Sequence, residues 1–291
     1  MFCIGTLADA TNWAILVSDQ NVSGIEMGNG KLPAKTSSED ITGLRIGAEA
    51  DLSPNLTVEV GGANDNDAND LEEALKLLID KLNIYRPEEM AGVVGDLADL
   101  EMIYSFKSFF NKSLGSSNLE CREDKIYINP KERMNYIFNS TISGIEDSDL
   151  ILLVGTNPRL EATILNARIR KAHLKGKVEV YAIGNPGDLT YPYKNIGSNT
   201  SVIQDICSNN HKISEKIKKS KKPIVIIGES ALLGKTGKYV FETIKNFLFE
   251  NNFIGKNWNS LNILNQHASR VGAIDLGVYS ISEKDNFLFF D

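Results

Sequence analysis

The chain has 291 residues, 42% of them hydrophobic and 24% charged, with a formal net charge of −7. Such a composition supports one large core or two smaller ones. It includes no run near the roughly 18 apolar residues that a membrane span requires, and no dense basic stripe interleaved with aromatics of the kind that binds nucleic acid.

The charge is unevenly spread. Residues 1–80 carry 14 acidic and 4 basic side chains, a balance of −10, and the remainder carries 24 acidic and 27 basic, a balance of +3. Two regions of different character follow from that shift. No Lys or Arg precedes Lys31, so the start lacks the marks of a secretory or transit peptide, and the expectation is a cytoplasmic protein. The three cysteines, Cys3, Cys121 and Cys207, are widely separated, and His173, His211 and His267 are scattered. Neither set has metal-ligand spacing, and an iron–sulfur cluster that needs four thiolates is not expected.

Residues 1–68 are rich in Gly, Asn, Ser, Thr and Asp. Alternating stretches such as 41-ITGLRIG-47 and 56-LTVEV-60 predict short strands joined by turns. The segment 61-GGANDNDAND-70 reads as a linker; its 65-DNDAND-70 fails as a calcium loop, because Asp70 stands where glycine is needed and Lys76 where a bidentate Glu is needed. Asp70 and Glu73 have capping-box spacing ahead of a helix over 71–82.

From there the order becomes regular. A buried strand is predicted at 90–95, an amphipathic helix at 97–113, a short strand near 118–121, then a loop and short helices to residue 147. The clearest strand is Leu150–Val154, followed by 155-GTNP-158, a helix to about Leu174 and a strand at 178–183. Helices at 201–207 and 211–220 precede a strand at 223–227 and a helix at about 237–251. A helix near 261–272 and a strand at 287–290 complete the reading. Strand–helix alternation with continuously apolar strands (149-DLILLVG-155, 222-KPIVIIG-228) predicts an α/β fold, a mostly parallel sheet with helices on both faces. Ending on 286-NFLFF-290 and Asp291, a buried-type strand, the chain is expected to stop partway through a larger domain.

The best-formed local site is the turn after Leu150–Val154. Gly155 permits a tight exit from the strand, Thr156 or Asn157 supplies an N-cap, and Pro158 fits the first helical turn. Free N–H groups would then face the carboxyl end of the sheet, where α/β folds bind anions; the simpler reading is a well-capped helix start. The loop 228-GESALLGKTG-237 resembles a P-loop but miscounts: the first glycine should be at 229, which is Glu, so nucleotide binding there is not expected. No motif of a hydrolase triad or zinc protease is present, and no catalytic or metal site is expected in this chain.

Several stretches resemble one family in its own order: 91-AGVVGDLADLEMIYSFKSFFNK-112, 138-FNSTISGIEDSDLILLVGTNPRLEATILNARIRKAHLKG-176, 181-YAIGNPGDLTYPYKNIG-197, 219-KSKKPIVIIGESAL-232 and 262-NILNQHASRVGAIDLG-277. They look like the large iron–sulfur subunit of respiratory complex I (NADH:quinone oxidoreductase), the G subunit of the bacterial enzyme, in part of its molybdopterin-oxidoreductase-like domain. The resemblance implies a first region at 1–68 unlike the family and a truncated molybdopterin-oxidoreductase-like domain at 69–291. It implies a structural and assembly role in NADH-to-quinone electron transfer, with iron–sulfur clusters and FMN elsewhere in the complex and no cofactor in this chain. The implied partners are the other subunits of the peripheral arm, on the cytoplasmic side of a bacterial inner membrane without direct insertion. Gly155, Thr156, Asn157 and Pro158 match the loop that meets the pterin phosphates in true molybdopterin enzymes, here vestigial. The alternative is a molybdopterin-dependent oxidoreductase that binds a pterin at this loop, for which Cys121 is the single candidate metal ligand.

Overall fold

In the computed structural model the described residues are 2–6, 11–18, 43–50 and 53–61, taken by their backbone, together with 76, 78–95, 97–122, 124 and 126–279. The chain divides into two compact units, one of residues 1–123 and 272–291, the other of residues 124–271. The boundary expected at 68 and 69, the acidic 65–70 segment and the strand expected at 287–290 lie outside the described residues. Of the helix expected at 71–82, residues 76 and 78–82 are described and are helical.

The first unit is built on a six-stranded sheet. Its strands are β1 (Phe2–Thr6), β2 (Thr11–Ser18), β3 (Gly43–Ala50), β4 (Ser53–Gly61), β5 (Met90–Val94) and β6 (Leu119–Glu120), in the order β4-β3-β2-β1-β5-β6. The first four form an antiparallel ladder, in which β3 and β4 overlap the alternating stretches 41–47 and 56–60, and β1 pairs antiparallel with β5, from Phe2 opposite Val94 to Thr6 opposite Met90. Every residue of β5 is buried. Helix α1 (Leu100–Ser108) starts where Asp99 Oδ1 accepts the Met102 N–H at 2.7 Å, an N-cap that satisfies an otherwise orphaned donor. It passes into one π-helical turn, Phe109–Leu114, and buries Ile103, Phe106 and Phe110.

The second unit holds an all-parallel sheet of five strands: β7 (Leu150–Val154), β8 (Glu179–Ile183), β9 (Lys194–Gly197), β10 (Pro223–Gly228) and β11 (Leu261–Leu264), ordered β11-β10-β7-β8-β9. From β7 the chain winds outward through β8 and β9, then returns to the other side of β7 for β10 and β11. Helices α2 (Pro158–Glu161) and α3 (Thr163–Leu174) follow β7. Next come α4 (Thr200–Cys207), α5 (Lys212–Lys219), α6 (Glu229–Leu232) and α7 (Gly234–Glu250), and α8 (Arg270–Asp275) spans the division between the units. Ile151, Leu153, Val180, Ala182, Ile224 and Ile226 pack on one face against Leu165, Ile169 and Ala172 of α3. The intervening Leu152, Tyr181, Val225 and Ile227 point the other way and are buried too. The α/β expectation with continuous apolar strands therefore holds.

Three elements differ from the sequence reading. The helix expected near 261–272 is strand β11 followed by α8. Four successive residues of 261-LNIL-264 are buried in a parallel ladder with β10, and so short an apolar run does not distinguish strand from helix by period. The helix expected through 158–174 breaks at Ala162, whose φ of −153° and ψ of 74° leave the helical region. Strand β9, half of it exposed, carries no apolar run and was not expected. Among the described residues no helix is long and apolar enough to cross a membrane.

Candidate functional site

Strands β7 and β10 approach so closely at their carboxyl ends that glycine is required on both. Gly155 takes φ of 56°, and a Cβ there would lie 2.7 Å from Ala231 Cβ. A Cβ on Gly228 would lie 2.4 Å from Gly155 O. Ser230 Oγ donates to that same carbonyl. Here the winding of the sheet reverses, and in open α/β sheets such a switch point is where a crevice forms.

A cavity of about 410 Å³ opens there, lined on its polar side by Thr156, Asn157, Glu161, Asn199, Thr200 and Ser230. Three of the four sequence-predicted residues, Gly155, Thr156 and Asn157, line it, while Pro158 begins α2 beside it and is buried. Asn157 is the N-cap: its Oδ1 accepts from Arg159 N at 3.1 Å and Leu160 N at 3.3 Å. Pro158 has no N–H to satisfy.

Glu161, which the sequence reading did not single out, folds back onto the turn. Its Oε1 accepts the Asn157 N–H at 2.8 Å and its Oε2 accepts the Thr156 hydroxyl at 2.5 Å. The turn therefore presents its donors to a carboxylate of its own chain. Among the residues lining the cavity, Glu161 is the one ionisable side chain; no lysine or arginine reaches it. Arg159 instead pairs with Asp188 at 2.5 Å. The Thr190 N–H and this guanidinium hold the Asp188 carboxyl below its ordinary range, and the Arg159–Asp188 pair ties the 184–191 loop to α2. Asn166 secures the same loop from below, donating to Leu189 O at 3.1 Å and accepting from Tyr191 Oη at 2.8 Å. Burial pushes the Tyr191 hydroxyl up, so it stays a neutral donor.

The near-P-loop 228–237 is not a loop. It forms α6 and the start of α7, and Gly237 is packed so tightly that a Cβ would lie 1.9 Å from Leu232 O. Lys235 is exposed and does not line the cavity. Glu229 is buried with its carboxyl raised above the ordinary range by desolvation, and it too lies outside the cavity lining. Cys121 is buried directly after β6, in the first unit. Cys207, at the end of α4, is half-buried with its thiol pushed up to about 12 by burial, which disfavours a thiolate ligand.

A family model described as molybdopterin oxidoreductase matches residues 72–288. The chain belongs to the molybdopterin oxidoreductase family. Within it, the chain is 40% identical over 223 residues to the NADH-ubiquinone oxidoreductase 75 kDa subunit of Reclinomonas americana, covering 72% of this chain and 32% of that protein. It is 34% identical over 206 residues to the G subunit of the NADH-quinone oxidoreductase of Rickettsia bellii, covering 71% and 30%. With the mitochondrial NADH-ubiquinone oxidoreductase 78 kDa subunit of Candida albicans it shares 37% identity over 218 residues, covering 73% and 30%. The chain spans about a third of the length of the curated relatives it matches.

Proposed function

We propose that this chain is part of the large iron–sulfur subunit of an NADH:quinone oxidoreductase and acts there as a structural and assembly domain. The similarity to subunits of that name supports the assignment of the complex. The observation that carries the structural role is Glu161. With Asn157 N–H and the Thr156 hydroxyl committed to its carboxylate, a phosphate at this turn would lose those donors. It would also meet a negative charge, with no cation in the cavity to offset it. The residues therefore do not fit a phosphorylated pterin, and no step of chemistry is derived through one. Electron transfer would run through iron–sulfur clusters and FMN held elsewhere in the complex. The partners of the chain would be the other subunits of the peripheral arm, on the cytoplasmic side of the inner membrane of a bacterium.

The test is purification from native membranes by a tag on this chain, with metal analysis and identification of the co-purifying subunits. NADH-dehydrogenase subunits in fixed ratio, with no molybdenum, are the expected result. Stoichiometric molybdenum and pterin on a chain that purifies alone would establish the alternative, a molybdopterin-dependent oxidoreductase using Gly155, Thr156, Asn157 and Pro158.

A further inference from the structure

Away from the cavity, Asp124, Glu229 and His267 converge within the second unit, at the carboxyl ends of β10 and β11. Glu229 directly follows the last residue of β10, and His267 comes three residues after β11. One ligand atom from each of the three lies within 4.8 Å of the others. His267 Nε2 is 3.4 Å from Glu229 Oε2 and 3.6 Å from Asp124 Oδ2. Those separations exceed the roughly 2.7–3.2 Å of a good N–H···O bond. They match the edge of about 3.4 Å that a tetrahedron has when its metal–ligand bonds are near 2.1 Å.

The outer side of the group is already held. Glu229 Oε1 accepts the Gln266 N–H at 3.0 Å and faces Arg270 Nη1 at 3.8 Å, which turns Oε2 toward His267. Arg270 Nη1 also reaches both oxygens of Asp124, at 3.2 and 3.1 Å. Glu229 and Arg270 are 5% and 1% exposed, while Asp124 and His267 are half-buried and open to solvent on one side. Glu229 is a buried carboxylate, and a buried carboxylate is costly unless it is paired.

Two other side chains of the same unit carry orphaned polar atoms. Asn135 is 2% exposed, and neither its Nδ2 nor its Oδ1 has a hydrogen-bond partner. The neighbouring Tyr136 O accepts from Asn265 Nδ2 at 2.7 Å, while Asn265 Oδ1 is likewise buried without a partner. Asn265 is two residues from His267 in the chain. A buried acceptor without a protein partner, such as Asn265 Oδ1, is where ordered solvent is expected.

We propose that Asp124 Oδ2, Glu229 Oε2 and His267 Nε2 bind a divalent transition-metal ion of the zinc class. Imidazole with carboxylate oxygens suits that class, and three protein ligands leave a fourth position open to solvent. Arg270 and the Gln266 N–H act as outer partners that orient the two carboxylates. None of these residues lines the cavity at Gly155, so the ion is independent of any pterin and of the assignment to an electron-transfer complex.

The experiment titrates cobalt(II) into the chelator-stripped 291-residue chain and follows visible absorption, then competes the cobalt with zinc. The expected result is one saturable equivalent with the spectrum of nitrogen and oxygen ligation. His267→Ala and Asp124→Asn should each weaken binding at least about tenfold, whereas His173→Ala should leave it unchanged. Circular dichroism of each metal-free variant separates loss of the site from loss of the fold, and Asp124→Asn retains the shape of the side chain. Absence of a saturable spectrum would overturn the site. So would a spectrum that survives both ligand variants, or a sulfur-to-cobalt charge-transfer band placing the ion on a cysteine.

Discussion

Glu161 occupies the position at which an external anion would meet the strand-to-helix turn, and its reach depends on backbone that departs from the regular helix. Because Ala162 leaves the helical region, α2 ends after four residues and the carboxylate folds back over Thr156 and Asn157. Hydrogen bonds to a charged group contribute roughly 1.5–3 kcal/mol each, and half-exposed ones contribute less. Glu161→Ala should therefore lower stability by about 1–3 kcal/mol in urea unfolding, and Glu161→Gln, which keeps an acceptor for Asn157 N–H, by less. Equal stability of Glu161→Ala and the parent would mean that the carboxylate does not hold the turn. At this scale the glycine, cap and proline of 155-GTNP-158 were legible in the sequence, because each residue type has a local backbone reason to be there. Glu161 was not, since its partners depend on a break at Ala162 that no neighbouring Gly or Pro announces. The group of Asp124, Glu229 and His267 was illegible for another reason: its members come together only when β10 and β11 pair.

Helix α3 is tied to the short 3₁₀ turn Ser143–Asp147 by one carboxylate. Glu146 accepts from Lys171 at 2.9 Å and Arg168 at 2.5 Å, with Lys175 at 3.4 Å. These partners, Lys171 foremost and then Arg168, hold its carboxyl down at about 2. A carboxyl depressed in the folded state contributes its stability fully above the unfolded carboxylate range, near 4.3, and loses it as pH falls through the folded value. Thermal unfolding should thus show Tm falling between about pH 4.5 and pH 2, and Glu146→Gln should flatten part of that fall. Added salt should flatten it as well, because the group is open to solvent. An unchanged slope in Glu146→Gln would assign the acid sensitivity to other carboxylates. Strands β5, β7, β8 and β10 were legible as unbroken apolar runs, which only burial on both faces explains. Strand β11 was misread because four residues and a buried Asn262 carry too little period. That Asn262 is tolerated because its Nδ2 donates to Ser140 Oγ at 2.9 Å and Ser260 O at 3.0 Å.

Over the whole molecule, the family match begins at residue 72 and runs through both units, whereas β1 to β4 precede it. The six-stranded sheet thus joins strands from outside the matched span to β5 and β6 within it. The charge shift near residue 80 led the sequence reading to expect two regions, whereas the pairing of β1 with β5 is a long-range contact that composition does not encode. A structural role and a cofactor-binding role make different demands on a chain of this kind, and a core substitution separates them. Ile151 is fully buried between α3 and the sheet, so Ile151→Ala opens a cavity costing about 2–5 kcal/mol. If the chain only supports assembly, cells carrying Ile151→Ala should accumulate less assembled oxidoreductase. On that proposal each particle that does assemble should nevertheless turn over NADH and quinone at the parental rate, because the electrons would pass through other parts of the complex. If the chain holds a working cofactor, loosening the strand that carries Gly155 should lower the rate per particle as well. Quantifying the assembled complex on native gels alongside NADH:quinone activity distinguishes the two, and a fall in rate per particle would overturn the structural reading.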